Sequence, residues 1–379
     1  MMEAQPLKLL FFVSEDWYFC SHRLPIAEAA IRQGYHVVVV TRVKNHGERI
    51  TRAGCKLVPV RLSRRGKNPF SELRLLFDLV RIYRRECPDI VHQVALKPVI
   101  YGSIAARISR VPAVVNALAG MGHLFISKHW RVRLFRPFVE FAYRQLLNHA
   151  NYRVILQNPD DQDFLVKRGI VEQHCITLIR GSGVDTHTYV PTLMPAGAPL
   201  VMLVSRMLWD KGVGEFVEAA RRLRQAGVLA RFALVGDADA ENPAAIPDVV
   251  LRDWENEGVI ERWGRRDDMI RVFGEAHIVC LPSYREGLPK VLIEAAASGR
   301  PIVASDAPGC REIVRDGENG FLVPVRDAIA LAAALQKLIG DPDLCSRMGR
   351  RGREIVEAEF ALDKVVQQTL ALYKELLDR

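Results

Sequence analysis

The feature that most constrains this chain is a rhythm: short, continuous apolar runs alternate with longer stretches of helical periodicity, and the pattern runs twice. Residues 7–13, 36–41, 90–92, 113–116, 153–157 and 175–179 read as strands, with helices at 24–33 and 73–85 between them. Strands apolar on both faces must be covered on both faces, which is the situation of a parallel sheet whose crossovers are helices. The rhythm lapses near Tyr189, where Pro191, Pro195, Gly197 and Pro199 interrupt any periodicity, so residues 191–199 read as a linker. It restarts with strands at 200–204, 231–235, 277–281 and 301–304 and helices at 215–225 and 290–298. The expected fold class is α/β: two doubly wound, Rossmann-like domains facing across a cleft, one over 1–190 and one over 200–361. The 379-residue length suits two domains of about 100–200 residues. A last helix over 362–379, with Val365, Leu370, Leu372, Tyr373 and Leu376 at helical spacing, is expected to pack back on the first domain.

No apolar stretch is long enough to span a bilayer. The run 9–13 after Lys8 is too short for a signal peptide and lacks a small-residue cleavage site. Seven scattered cysteines, odd in number and without a Cys-x-x-Cys pair, point to a reducing cytoplasm and away from structural zinc. The net charge of +9 is uneven: up to Pro195 there are 28 Lys+Arg against 15 Asp+Glu, and beyond it 25 against 29. The first half therefore suits an anionic partner: nucleic acid, lipid or a phosphorylated substrate.

Ligands of doubly wound domains bind at the carboxyl ends of the strands, so the residues there define the chemistry. A dinucleotide site needs Gly-x-Gly-x-x-Gly after the first strand, but Ser14-Glu15-Asp16-Trp17-Tyr18 contains no glycine, and Gly181-Ser182-Gly183 lacks the third. No Gly-Lys-Ser/Thr is present, which removes a P-loop. Asp237-Ala238-Asp239 has the spacing that holds a divalent ion under diphosphates, but after the strand 232–235 and Gly236 it reads better as a solvated loop. The sharper cluster is Arg206 just after the strand 200–204, with Lys211-Gly212 at a helix start. An arginine and a lysine beside a helix N-terminus converge on a diphosphate, the first through paired hydrogen bonds and the second as a point charge. Glu286-Gly287-Leu288-Pro289 follows the strand 277–281, and Glu294 lies in the next helix within the apolar run 291–297. A carboxylate in such a run needs a partner or a ligand. Eight residues of helix span about 12 Å, which places Glu286 by a sugar ring and Glu294 by ribose hydroxyls of one sugar nucleotide.

Arg206 and Lys211, Glu286 with Glu294, and the segments 299–305, 309–314 and 317–323 together resemble the family 4 glycosyltransferases, retaining enzymes of the GT-B fold. The likeness covers most of the second half. It implies that Arg206 and Lys211 stabilise the departing nucleotide diphosphate, that Glu286 bonds a donor-sugar hydroxyl and that Glu294 holds the ribose. It also implies backbone approach of Gly287 and Leu288 to the donor, with Gly236 and Asp237 nearby and Arg265 bordering the nucleobase. Fixed cations replace a metal ion as negative charge develops on the diphosphate, so neither metal nor cofactor is required.

The first half resembles bacterial transferases that build lipid-linked O-antigen, capsule and exopolysaccharide units. Residues 16–25, His92 with Lys97-Pro98, and the run from Asn116 through Gly120 to Gly122 carry that likeness. Acceptor or sugar contacts are expected among Asp16, His22, His92, Lys97, Asn116, Gly120 and Gly122. The usual glycine-rich loop after the first strand is absent, and the Asn116 region replaces the frequent Thr-x-His. The basic, aromatic stretch 125–152, together with Arg61, Arg64, Arg65, Lys67, Arg81, Arg84 and Arg85, reads either as a surface for an anionic inner leaflet beside a polyprenyl-diphosphate-linked saccharide or as ordinary helices with aromatic cores. The leading expectation is a cytoplasmic, peripheral membrane glycosyltransferase that uses a nucleotide diphosphate sugar, UDP favoured, and binds no nucleic acid. A GT-B sugar-nucleotide epimerase, a soluble glycan or sucrose-type synthase, and a non-catalytic basic protein binding membrane or nucleic acid are the alternatives.

Overall fold

A computed structural model describes residues 6–62, 69–118, 120, 130–239 and 242–378. The chain divides into two compact units, Met1–Ser182 with Val365–Arg379, and Gly183–Lys364.

The first unit holds β1 (Lys8–Glu15), β2 (His36–Arg42), β3 (Lys56–Pro59), β4 (Ile90–Val94), β5 (Ala113–Ala117), β6 (Tyr152–Leu156) and β7 (Ile176–Leu178). They form one sheet in the order β3-β2-β1-β4-β5-β6-β7, and every pairing is parallel. Leu9, Leu10, Phe11 and Phe12 of β1 are all fully buried, which is why the strand shows no polar alternation. Leu9, Phe11 and Val13 face the helices Asp16–His22, Leu24–Arg32 and Leu362–Leu377. Leu10 and Phe12 face the helices Pro69–Glu86 and Leu96–Ser109. From the C-terminal helix, Val365, Leu370, Leu372, Tyr373 and Leu376 enter the first face. Each such burial contributes about 1.5–3 kcal/mol.

The second unit holds β8 (Leu200–Val204), β9 (Arg231–Val235), β10 (Glu261–Gly264), β11 (Ile278–Leu281), β12 (Ile302–Ser305) and β13 (Gly320–Val323), in the order β10-β9-β8-β11-β12-β13. Both sheets thus share the 3-2-1-4-5-6 order of a Rossmann-like domain. The chain goes from the first strand of each sheet outward on one side, then returns to add its fourth strand on the other. The strand order therefore reverses between β1 and β4 and between β8 and β11, and loops leaving those neighbours part to leave a crevice.

Residues 191–199 lie within the second unit, and the change of unit falls earlier, between Ser182 and Gly183. Arg300, fully buried, holds this stretch: its guanidinium reaches Thr192 Oγ1, Met194 Sδ at 3.1 Å and Leu193 O at 3.4 Å, and also Phe273 O at 2.8 Å. His277 Nε2 adds a contact to Pro195 O at 2.9 Å. Proline and glycine mark the absence of regular structure here, while tertiary hydrogen bonds fix the segment.

Candidate functional site

The second unit brings its candidates to the crevice between β8 and β11. Ser205 to Lys211 leave β8 through the turn Trp209–Lys211, and Gly212, with φ +72°, opens the helix Val213–Gln225. Pro282 to Pro289 leave β11 and lead into the helix Lys290–Ala297. The two loops touch. Tyr284 N donates to Asp210 O at 2.9 Å, and a Cβ on Gly212 would lie 2.1 Å from Pro282 O, so only glycine permits that approach. On the far side, Gly309, with φ +81°, abuts the carbonyls of Glu286 and Gly287, and Glu286 N donates to Pro308 O at 3.2 Å.

This scaffold pairs Lys211 Nζ with Glu286 Oε1 at 2.5 Å, with 19% and 12% of the side chains exposed. Arg206, more open at 45%, donates to Asp239 Oδ2 at 2.7 Å. The two cations expected to meet a diphosphate thus each hold a carboxylate of the same unit. Asp237 Oδ1 accepts the Arg265 N–H at 3.1 Å, and Gly236 N donates to Gly264 O at 2.8 Å, so the ends of β9 and β10 bring Gly236, Asp237 and Arg265 together. The Arg265 side chain reaches Asp267 at 3.3 Å. Leu288 is buried beside Gly287.

Glu294 is buried and accepts from Tyr189 Oη at 3.1 Å and from Lys290 Nζ at 3.1 Å. Burial first, and the Glu294 carboxylate second, push the Tyr189 phenol far above its ordinary range, so it stays a donor. Tyr189 has no signal in the sequence, since it sits in an aperiodic stretch 105 residues from Glu294. Cys310 also belongs here: burial and then Glu286 raise its thiol pKa while Lys211 lowers it, and the net shift is upward, to a neutral thiol.

In the first unit the candidates scatter. Asp16 is fully buried and its carboxylate accepts N–H bonds from Trp17 (2.8 Å), Lys44 (2.7 Å) and His46 (2.8 Å). Burial acts to raise its pKa, but the backbone donors His46, Lys44 and Trp17 outweigh it and the net shift is downward. Asp16 thereby ties the loop after β2 to the end of β1. His22 stacks on Tyr18 with ring centroids 4.0 Å apart. His92 is fully buried, its Nδ1 2.5 Å from Tyr373 Oη; burial and then Arg23 hold its pKa well below the ordinary value, so the ring is neutral.

Asn116 lies opposite Gln93 in the β4–β5 register and accepts from Ser103 Oγ at 3.2 Å. Successive residues of β4 point to opposite faces, so His92 and Asn116 belong to different sides of the sheet and do not meet one ligand. Lys97 pairs with Glu72 at 2.8 Å. Gly120 takes φ +94°, and Gly122 lies outside the described residues, as do Arg64, Arg65, Lys67 and Lys128. Tyr143, in the basic, aromatic stretch 125–152, is a core residue, packed with Leu147 and Val154. Among the described residues no cluster of His, Cys, Asp or Glu could hold a metal ion, and no helix is long and apolar enough to cross a membrane.

Comparison with known proteins fits this geometry. The profile described as glycosyl transferases group 1 matches residues 198–341, and that described as glycosyl transferase 4-like matches residues 8–158. The chain is 26% identical over 368 residues to the N,N'-diacetylbacillosaminyl-diphospho-undecaprenol alpha-1,3-N-acetylgalactosaminyltransferase of Campylobacter jejuni, covering 94% of this chain and 95% of that protein. It is 25% identical over 320 residues to the UDP-Gal:alpha-D-GlcNAc-diphosphoundecaprenol alpha-1,3-galactosyltransferase of Escherichia coli, covering 81% and 80%. HepE of Anabaena, solved in complex with UDP-glucose, shares the fold at a TM-score of 0.79 and 20% identity, over 97% of this chain and all of that one. Two Rossmann-like units of this order are the GT-B fold, and the two profiles and the named relatives make the chain a glycosyltransferase. The chain belongs to the family 4 glycosyltransferases.

Proposed function

We propose that this enzyme moves a hexose or N-acetylhexosamine from a nucleotide diphosphate sugar, with UDP favoured, to a polyprenyl-diphosphate-linked saccharide in cell-surface polysaccharide assembly. The transfer retains anomeric configuration and needs no metal, and the protein works at the cytoplasmic face of the plasma membrane. The relatives' names support the lipid-linked acceptor, and the UDP-glucose complex of HepE supports the donor.

The observation that carries the reading is the Lys211–Glu286 pair at the crevice of the second sheet. A diphosphate entering there draws the Lys211 ammonium from Glu286 and the Arg206 guanidinium from Asp239. Both cations then oppose the charge that develops as the glycosyl–phosphate bond breaks. Glu286, released from Lys211, accepts a hydroxyl of the donor sugar, and Glu294, oriented by Tyr189 and Lys290, accepts from the ribose. Gly287 and Leu288 approach the donor through their backbone, and Gly236, Asp237 and Arg265 border the nucleotide. In the first unit, His22, His92, Lys97, Asn116 and Gly120 remain the candidates for the acceptor: the Asp16 carboxylate is taken up by backbone N–H groups, whereas His92 Nε2 and Asn116 Nδ2 are buried polar atoms without a hydrogen-bond partner among the described residues.

Calorimetric titration with UDP and with GDP, without metal, tests this. One nucleotide is expected to bind in the micromolar range and to lose binding in Lys211→Ala; binding of neither overturns the reading.

A further inference from the structure

Three helices of the first unit carry apolar side chains on the side facing away from the sheet. Leu96–Ser109 packs between Pro69–Glu86 and Trp130–Leu147, and all three cover one face. Pro69–Glu86 buries Leu75, Leu79 and Tyr83, yet its opposite side exposes Phe70 at 80%, Leu73 at 52% and Phe77 at 67%. Trp130–Leu147 buries Tyr143 and Leu147 and exposes Leu134, Phe138 at 70% and Phe141 at 63%. On the middle helix, Leu96 and Ile108 are exposed, and Ile100 and Ile104 between them keep the four-residue spacing of one helical face. An ordinary surface helix is polar on that side. Repetition on three neighbours makes a patch of the kind that marks an interaction surface.

The charges around it name the partner. Arg74, Arg81, Arg84, Arg85, Arg107 and Arg144 are exposed on these helices, whereas Asp78 is the only exposed acid among their described side chains. Glu72 and Glu140 are mostly covered and paired with Lys97 and Arg168. A two-fold contact with a second copy would set these arginines against one another. Apolar side chains among arginines suit the boundary of headgroups and acyl chains in an anionic leaflet.

We infer that the outer side of this three-helix layer docks on anionic phospholipid, inserting Phe70, Phe77, Phe138 and Phe141 while the arginines meet headgroup phosphates. The inference deepens the membrane reading above and rests on it; it adds the apolar outer side of Pro69–Glu86, with Phe70, Leu73 and Phe77, and of the middle helix, and so defines one face. Such docking holds the first unit at the surface where a polyprenyl-linked acceptor presents its saccharide.

The test is flotation of the full chain with phosphatidylcholine vesicles with and without phosphatidylglycerol, none containing polyprenyl lipid. Phosphatidylglycerol-dependent binding that weakens with added salt is expected. Phe77→Glu with Phe138→Glu, both on exposed positions, should lower vesicle partition by about tenfold or more, with circular dichroism and nucleotide affinity unchanged. Absence of vesicle binding, equal binding by the variant, or a dimer that the variant dissociates overturns the inference. Nucleotide titration of the same preparations separates the two readings: retained nucleotide binding without flotation removes the membrane face alone, and flotation without nucleotide binding removes the transferase site alone.

Discussion

Lys211→Ala separates the two roles that the Lys211–Glu286 pair combines. The substitution removes an ammonium 2.5 Å from Glu286 Oε1 in a pair that is largely covered. For the fold, the loss is that of a stranded carboxylate. Breaking a fully buried pair costs about 3–5 kcal/mol, and residual exposure of both side chains reduces this to about 1–2 kcal/mol. For the reaction, a unit charge about 4 Å from the leaving diphosphate at an effective dielectric constant of about 20 is worth about 4 kcal/mol. Water entering the vacated space returns part of that, so kcat should fall by about a hundred- to a thousandfold. Adding Glu286→Gln removes the stranded charge, so the double variant should recover stability relative to Lys211→Ala and recover no turnover. Single-turnover release of the nucleotide, measured beside thermal unfolding, reads both quantities. Turnover in Lys211→Ala within about threefold of the parent, with a lowered thermal midpoint, would refute the reasoning and leave Lys211 as a structural counter-ion.

Gly309→Ala places a Cβ 2.5 Å from Gly287 O and 2.8 Å from Glu286 O, backbone atoms that cannot swing aside. It should cost about 1–3 kcal/mol and raise the donor KM, read by thermal unfolding and donor-dependent kinetics. Tyr189→Phe removes a donor to the Glu294 carboxylate and should weaken nucleotide binding by about fivefold, equivalent to about 1 kcal/mol, by calorimetry. His92 has a folded pKa below its unfolded value, so the unfolded state takes up the proton first as pH falls. Its contribution to stability is full above about pH 6.5 and is lost below it at up to about 1.4 kcal/mol per pH unit. His92→Gln should flatten this dependence in thermal midpoints taken between about pH 5 and 8, and His277, shifted in the same direction by burial, leaves a residual slope.

The elements that could be read in the sequence and those that could not differ in what surrounds them. The central strands β1, β4, β8 and β11 have helices on both faces, so burial writes them as unbroken apolar runs. The strands with no such run, β3, β10 and β13, are all sheet edges, and β3 and β10 keep no fully buried residue. A similar division applies to the functional residues. Lys211 and Glu286 are 75 residues apart, yet both follow central strands, and the reversal of strand order makes those strand ends neighbours in any sheet of this topology. Topology alone therefore juxtaposes them. No such rule brings Tyr189 to Glu294, because that meeting depends on side-chain direction and on the course of an aperiodic stretch. The first unit shows the same limit from the other side. Asp16 and His92 have the residue types of a sugar-binding site, but whether a polar atom is left for a ligand depends on partners far along the chain. Lys44 and His46 saturate Asp16 from the loop after β2, whereas Tyr373 reaches only Nδ1 of His92 from the last helix, 281 residues away, and leaves Nε2 buried without a partner among the described residues. A residue's chemical capacity is local, whereas its availability is a property of the folded unit, so burial and hydrogen-bond saturation decide among candidates that residue type leaves equal.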